Sequence, residues 1–318
     1  MIALIVAVLL CTSIAFPAYA TNINRNTILT TIVDNSKHYY IAGINLPSGL
    51  QKGKTKVVKS FPIVRNSANN SRPRWSIDRK SFCFISDDGG FSNIYIYQLG
   101  TNTSTKITNN RSNEKYQNAR YFSLSEIIFT GNDGKLYCID TSSRQVRLLK
   151  FENLKYDADH NYVVMCGDSK NGLVIEEAEK DRSAYFGGGI RKYYLAKGEA
   201  VSTIDLSGTF ETVGRGKYYP ENIAWIPRTT QKLLVSVNWS NVKIVDLRTR
   251  SSQIRVRVRA AEFHYSPDGK YVAFWTGMSD SGRGWIAIYL SALDFGDKFE
   301  NGQHAVAVAD GYFAGFDW

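Results

Sequence analysis

The chain has 318 residues, with 39 Lys and Arg against 29 Asp and Glu and a formal net charge of +10. Its 43% apolar content, 25 Gly and only 7 Pro exclude a disordered or collagen-like chain. The length fits two ordinary domains or one large all-β unit, and 19 Tyr, 16 Phe and 6 Trp favour pleated surfaces over helices.

The first predicted element is a leader. Residues 2–10 form an unbroken apolar run, too short for a membrane span of about 20 residues. Ala18-Tyr19-Ala20 supplies a small-x-small cleavage pattern just after Pro17. An uncleaved N-terminal anchor is the alternative, since no basic side chain precedes the run. We expect a leader over 1–20 and a single domain over 21–318, exported to the periplasm or secreted after cleavage near Ala20. Cys83, Cys138 and Cys166 each sit in an apolar, strand-like stretch and read as small buried hydrophobes. Three separated thiols make no disulfide framework; one pair could bridge, and the sequence does not choose it.

Beyond the leader the chain repeats itself. Residues 25–60 offer YYIAGINL and TKVVKS, read as strands C and D of a first unit. Residues 72–108 (RPRWSIDRKSFCFISDDGG and onward) run through an aromatic-Ser-x-Asp turn, an alternating strand, a polar loop and a Tyr/Ile-rich strand. The same frame is read at 120–140, at 156–165 (YDADHNYVVM), at 223–247 and at 259–290. Its landmark aromatics are Trp75, Phe122, Tyr156, Trp225 and Tyr265, at intervals from 34 to 69 residues, with Trp318 ending the terminal GYFAGFDW. Short alternating strands at a long period are the signature of a radial β-propeller. The first unit lacks a strand A, and the chain ends where one would finish. The predicted fold is therefore an all-β six-bladed β-propeller, with four antiparallel strands per blade, closed by pairing of the C-terminal strand into the first blade. An open or two-sheet β structure is the alternative.

At Tyr265-Ser266-Pro267-Asp268-Gly269-Lys270-Tyr271-Val272-Ala273-Phe274 the chain resembles the WSPDGxxIAF repeat of the TolB-like (WD40-like, PD40) propellers. Ser86-Asp87-Asp88-Gly89-Gly90-Phe91-Ser92-Asn93-Ile94-Tyr95 is similar to that family's SDRDGNxxIY. The resemblance covers 25–318 and implies the propeller alone, without the TolB N-terminal domain. It also implies binding of extended segments in a central funnel. It implies no activity, because the repeat serves peptidase-linked propellers too. The Ser-Pro-Asp-Gly turn itself reads as structural, with Gly269 free to take positive φ.

In a four-stranded blade the A–B and C–D turns lie on one face of the disc, and the B–C and D–A loops on the other. Loops 86–93, 167–189, 238–241 and 277–284 fall on the second face, around the channel mouth, where a rigid ring binds its partners. The stretch 167–189 is the longest. It carries Glu176, Glu177 and Glu179, then Arg182, Tyr185, Phe186 and three glycines, and reads either as a docking finger or as a decorative hairpin. From these loops Asp88, Arg182, Tyr185, Phe186, Trp239, Arg283 and Trp285 are the candidate binding residues. Arg255, Arg257 and Arg259 alternate along a strand D beside Arg248 and Arg250; they read as a charged edge or as a contact for an anionic polysaccharide or lipid surface.

The four histidines (His38, His160, His264, His304) fall in different units with no metal spacing, and no HExxH, GxSxG or P-loop occurs. His264 reads as a packed or rim residue. The expectation is a monomeric binding or scaffold propeller for a protein or peptide of the cell envelope, with no catalytic residue, metal or cofactor and no nucleic-acid partner. The alternative is a carbohydrate-active envelope enzyme, a polysaccharide lyase or glycosidase, with carboxylates or histidines converging on the same channel mouth.

Overall fold

The computed structural model describes residues 14–15, 23–24, 26–34, 36–46, 54–110, 116–168, 171–180, 191–206, 211–213, 216–218, 220–229, 231–237, 241–256, 262–269, 271–278, 284–290, 304–308 and 312–318. The strands run in chain order. The first are β1 (Ile14–Ala15), β2 (Thr27–Val33), β3 (Tyr39–Asn45), β4 (Lys54–Val58) and β5 (Phe61–Val64). Next come β6 (Asn70–Trp75), β7 (Ser81–Ser86), β8 (Asn93–Gln98) and β9 (Thr103–Lys106). They are followed by β10 (Gln117–Tyr121), β11 (Glu126–Thr130), β12 (Leu136–Asp140) and β13 (Val146–Leu148). Then come β14 (His160–Asp168), β15 (Gly172–Glu179), β16 (Arg191–Lys197) and β17 (Ala200–Ile204). A hairpin β18 (Glu211–Val213) and β19 (Gly216–Tyr218) precedes β20 (Pro220–Trp225), β21 (Lys232–Val237), β22 (Asn241–Asp246) and β23 (Ser251–Val256). The last are β24 (Glu262–Tyr265), β25 (Tyr271–Met278), β26 (Gly284–Leu290), β27 (His304–Val308) and β28 (Tyr312–Asp317).

These strands build a β-propeller of four-stranded antiparallel blades. Three sheets run in simple sequence, β10 to β13, β14 to β17 and β20 to β23. The sheet β6 to β9 carries β1 on its β9 edge, and β24 to β27 carries β4. The remaining large sheet is ordered β28-β2-β3-β5, with Leu29 opposite Asp317 and Val33 opposite Tyr312.

Strands β2, β7, β11 and β15 and residues 233–236 of β21 are buried on both sides, which is why SFCFIS or LLVS reads as continuous apolar sequence rather than clean alternation. In β7, Phe82 and Phe84 pack on Leu29, Ile41 and Val64 of the preceding sheet, while Cys83 and Ile85 pack on Ala119, Ile127 and Phe129 of the following one. The same bifacial packing recurs between successive sheets. A further cluster joins Ala273 of β25 to Ile28, Ile32, Phe316 and Trp318. Burying a large side chain of this kind is worth roughly 1.5–3 kcal/mol, so the inter-sheet layers carry most of the stability.

The aromatic-Ser-x-Asp turns repeat atom for atom. Ser266 Oγ donates to Asp268 Oδ1 at 2.7 Å, and Tyr271 N donates to Ser266 Oγ at 2.9 Å. Ser76, Asp78 and Ser81 make the equivalent bonds at 2.8 and 3.1 Å. The fourth turn residue is left-handed in both, at φ 68° for Gly269 and φ 56° for Arg79. Glycine takes that conformation without steric cost; Arg79 takes it while its guanidinium lies over the Trp75 ring, 4.3 Å from the centroid, and donates to Thr27 O.

Three expectations need correction. TKVVKS is not strand D of the first sheet: β4 lies parallel to β27, and β5 (FPIV) pairs with β3 instead. An edge position tolerates Pro62 because its missing N–H faces no partner, and β4 covers the otherwise open edge of β27. In the third unit the buried aromatic is Tyr121, while Phe122 is half-buried in the turn. In the fourth unit the frame is displaced. Tyr156 lies in the connection before β14, edge-on to Tyr162, and GLVIEEAE is the second strand of its sheet rather than the root of a finger.

That displacement also explains the acidic run. Glu176 and Glu177 are buried within β15. Arg191 donates to Glu176 at 3.3 Å, and Lys192 and the Tyr194 hydroxyl bind Glu177 at 3.0 and 2.7 Å. Cross-strand pairing on the neighbouring β16 is what makes burial of these carboxylates tolerable. All three described cysteines are buried, and none is in a disulfide.

Candidate binding channel

An edge strand of each large sheet contributes one residue at a shared step, directly before a residue that packs into an inter-sheet cluster. They are Arg74 before Trp75, Arg120 before Tyr121, Met165 before Cys166, Ala224 before Trp225, His264 before Tyr265 and Asp317 before Trp318. Period-two alternation sends the aromatic into the inter-sheet layer and its predecessor toward the opposite side. Register shifts interrupt the pairing of β6 between Ser71 and Arg74, and of β10 between Gln117 and Arg120. Arg72 and Asn118 take φ 54° and 52° inside these irregularities. Such bulges re-aim side chains, and here Arg72 Nη1 donates to Asn118 Oδ1 at 2.7 Å across the two strands.

The inner strands are joined by charge. Arg74 donates to Glu262 Oε1 at 2.8 Å and to Phe316 O. His264 Nε2 lies 3.2 Å from the same Glu262 oxygen, and its Nδ1 lies 3.0 Å from Asp317 Oδ1. The remaining oxygens are also engaged: Phe316 N donates to Glu262 Oε2 at 3.1 Å, and Trp75 N to Asp317 Oδ2 at 2.7 Å. The His264 ring stands edge-on to Phe316 at 4.9 Å. β6, β24 and β28, from three different sheets, are thereby pinned at one point.

Burial opposes ionisation of Glu262, yet Arg74 and His264 outweigh it and hold the carboxyl at about 2. Asp317 is lowered in the same way against its burial by His264 and Arg74. Burial disfavours the His264 cation, but Asp317 and Glu262 reverse that and raise its pKa. Arg120 is the outlier. Burial, and then the nearby Arg74 charge, pull its pKa down to about 10. Its Nη1 donates to Met165 O at 2.7 Å, and its buried Nε has no partner.

On the side of the β2–β3 and β7–β8 connections, Asn69 ties three connections together. Its backbone and side-chain amides donate to Asp87 at 2.7 and 2.9 Å, and its Oδ1 accepts from Tyr39 N at 3.2 Å. Asp34 caps the adjacent 34–38 turn by accepting from Ser36 N and His38 N. A separate cleft of about 520 Å³ opens on the A–B side between the sheets of β10–β13 and β14–β17, lined by Phe122, Cys138, Leu149, Phe151 and Lys197.

Of the residues expected at the mouth, Asp88 lies in the β7–β8 turn and is held within its own sheet, by Ser86 Oγ and by the Tyr95 hydroxyl at 3.4 Å. Trp285 lies in β26, opposite Ala307. Arg182, Tyr185, Phe186, Trp239 and Arg283 lie outside the described residues. The residues that do converge, Arg74, Arg120, Glu262, His264 and Asp317, were not among the candidates, although the position before a landmark aromatic marks three of them, Arg74, His264 and Asp317. No group of three or more His, Cys, Asp or Glu side chains suited to holding a metal ion occurs among the described residues.

No protein-family model matches the sequence, and no curated protein matches it. Solved structures do. TolB from Acinetobacter baumannii superposes with a TM-score of 0.62 at 17% identity over 92% of this chain and 66% of that one, so the chain spans just under two thirds of that protein's length. A structure of a nidogen/laminin complex gives 0.58 at 10% identity over 92% and 97% of the two chains. An oligogalacturonate lyase in complex with manganese gives 0.52 at 11% identity over 87% and 72%. Together with the aromatic-Ser-x-Asp turns and the four-stranded blades, these likenesses give the chain the fold of the TolB-like β-propellers.

Proposed function

We propose that this protein is an exported, non-catalytic binding propeller that takes an extended segment of a cell-envelope protein into the mouth of its central channel. The reading treats the six large sheets as blades of one disc sealed by the β2–β28 pairing, with residues 1–20 as a cleaved leader and 21–318 as one domain. The observation that carries it is the state of the channel wall. His264 is held on both nitrogens by carboxylates. Those carboxylates are in turn saturated by Arg74, Phe316 N and Trp75 N. A general base needs a free acceptor within reach of substrate, and this histidine has none. A wall whose acids and histidine serve one another suits recognition better than proton transfer, and the connections tied through Asn69 are already organised for it. The same saturation counts against the lyase or glycosidase reading.

The test replaces Tyr39, exposed at the B–C side, with a photo-crosslinking residue, and does the same at Val146, exposed on an outer strand. Irradiation in living cells followed by mass spectrometry is expected to trap one envelope protein from position 39 and not from 146. Equal labelling from both positions, or turnover of uronate oligosaccharides by the purified protein, would overturn the reading.

A further inference from the structure

Arg120 is a cation that the inner wall leaves without a counter-charge. The two carboxylates nearest to it in the network, Glu262 and Asp317, already serve Arg74, His264 and two backbone amides. Among the described residues no carboxylate comes within ion-pair distance of Arg120, and its one hydrogen bond, to Met165 O, uses Nη1. That contact fixes the guanidinium plane across β10 and β14 and leaves the Nε–Nη2 edge without a hydrogen-bond partner among the described residues, its Nε buried. This edge is the fork that grips a carboxylate through two parallel hydrogen bonds. An orphaned donor on a buried cation is costly to leave unmet, so the site is built for an acceptor brought from outside. Arg72, bonded to Asn118 two residues before Arg120, also has no carboxylate partner among the described residues.

We propose that Arg120 is an anchor for a carboxylate, an Asp or Glu side chain or a C-terminus, on the extended segment that enters the channel. This deepens the binding reading and rests on it. The test measures binding of a capped hexapeptide of alternating Gly and Glu, its Gln counterpart, and citrate, to the purified protein by calorimetry. The Glu peptide is expected to bind at least about tenfold more tightly than the Gln peptide, the worth of a charge-assisted hydrogen bond. Arg120→Gln should erase that preference, and Arg147→Gln, on an outer strand, should keep it. Should Arg120→Gln fail to fold, Arg120→Lys, which keeps the charge without the fork, should cut the preference at least threefold. Equal binding of the two peptides overturns the carboxylate anchor and leaves the channel as a peptide site. Citrate binding that is lost in Arg120→Gln, with neither peptide bound, overturns the peptide source and makes a free acid the ligand. Preference retained by a folded Arg120→Gln protein also overturns the proposal.

Discussion

Glu262→Gln isolates the charge of the inner network, because glutamine keeps the shape and one acceptor oxygen. In the folded protein the Glu262 carboxyl is lowered from 4.5 to about 2, and at 1.36 kcal/mol per unit this amounts to about 3 kcal/mol of stability at neutral pH. That agrees with the roughly 3–5 kcal/mol lost when one partner of a buried ion pair is removed. For a domain of this size it should lower the melting temperature by about 6–10 °C. The sign of the pH dependence is specific. A depressed carboxylate stabilises above its unfolded pKa and stops doing so as pH falls through the folded value. The gap between the parent and Glu262→Gln should therefore be full at pH 5–7 and shrink between about pH 4.5 and 2. His264 behaves oppositely. Its raised pKa stabilises fully below about 6.5 and is lost as pH rises through the folded value, so the variant should show a shallower alkaline decline. Circular-dichroism melts across pH, with Arg74→Met and the double variant completing the cycle, measure all of this. A gap below about 1 kcal/mol at pH 6, or one that persists unchanged at pH 3, would falsify the assignment of Glu262 as the hub.

Gly269→Ala places a Cβ 2.9 Å from the Pro227 side chain at φ 68° and should cost about 1–2 kcal/mol in a denaturant titration; an unchanged midpoint refutes the turn geometry. Cys83 and Cys138, pushed up to about 12 chiefly by burial, should resist an aromatic disulfide reagent in the native protein and react once it is unfolded. Rapid native labelling of either would contradict their burial. Removing residues 312–318 deletes the Leu29–Asp317 pairing together with buried Phe316 and Trp318. The truncated chain should bind hydrophobic dye and lose its cooperative melt, and a sharp native-like transition would show that β28 is dispensable.

What was legible in the sequence follows from how local each signal is. The Ser-Pro-Asp-Gly turn is a six-residue device, from Ser266 to Tyr271, whose bonds close on themselves, so it was readable from sequence. Tyr156-Asp157-Ala158-Asp159-His160 mimics that pattern without being the turn, because His160 pairs with Glu179 as the start of a strand. The glutamates of β15 looked like loop residues because their partners, Arg191 and Lys192, come from the next strand. The channel network was out of reach for the same reason on a larger scale: Arg74 and Glu262 are 188 residues apart in the chain and meet only through the arrangement of whole sheets.

β4 and β28 trade places. The N-terminal region lends β4 to the sheet of β24–β27, while the C-terminus lends β28 to the sheet of β2, β3 and β5. Such a reciprocal loan is a double latch: pulling either terminus free still leaves the other bolt shot. Because Leu29 and Asp317 are 288 positions apart (317 − 29), their pairing belongs with the slow, non-local contacts and should form late in folding.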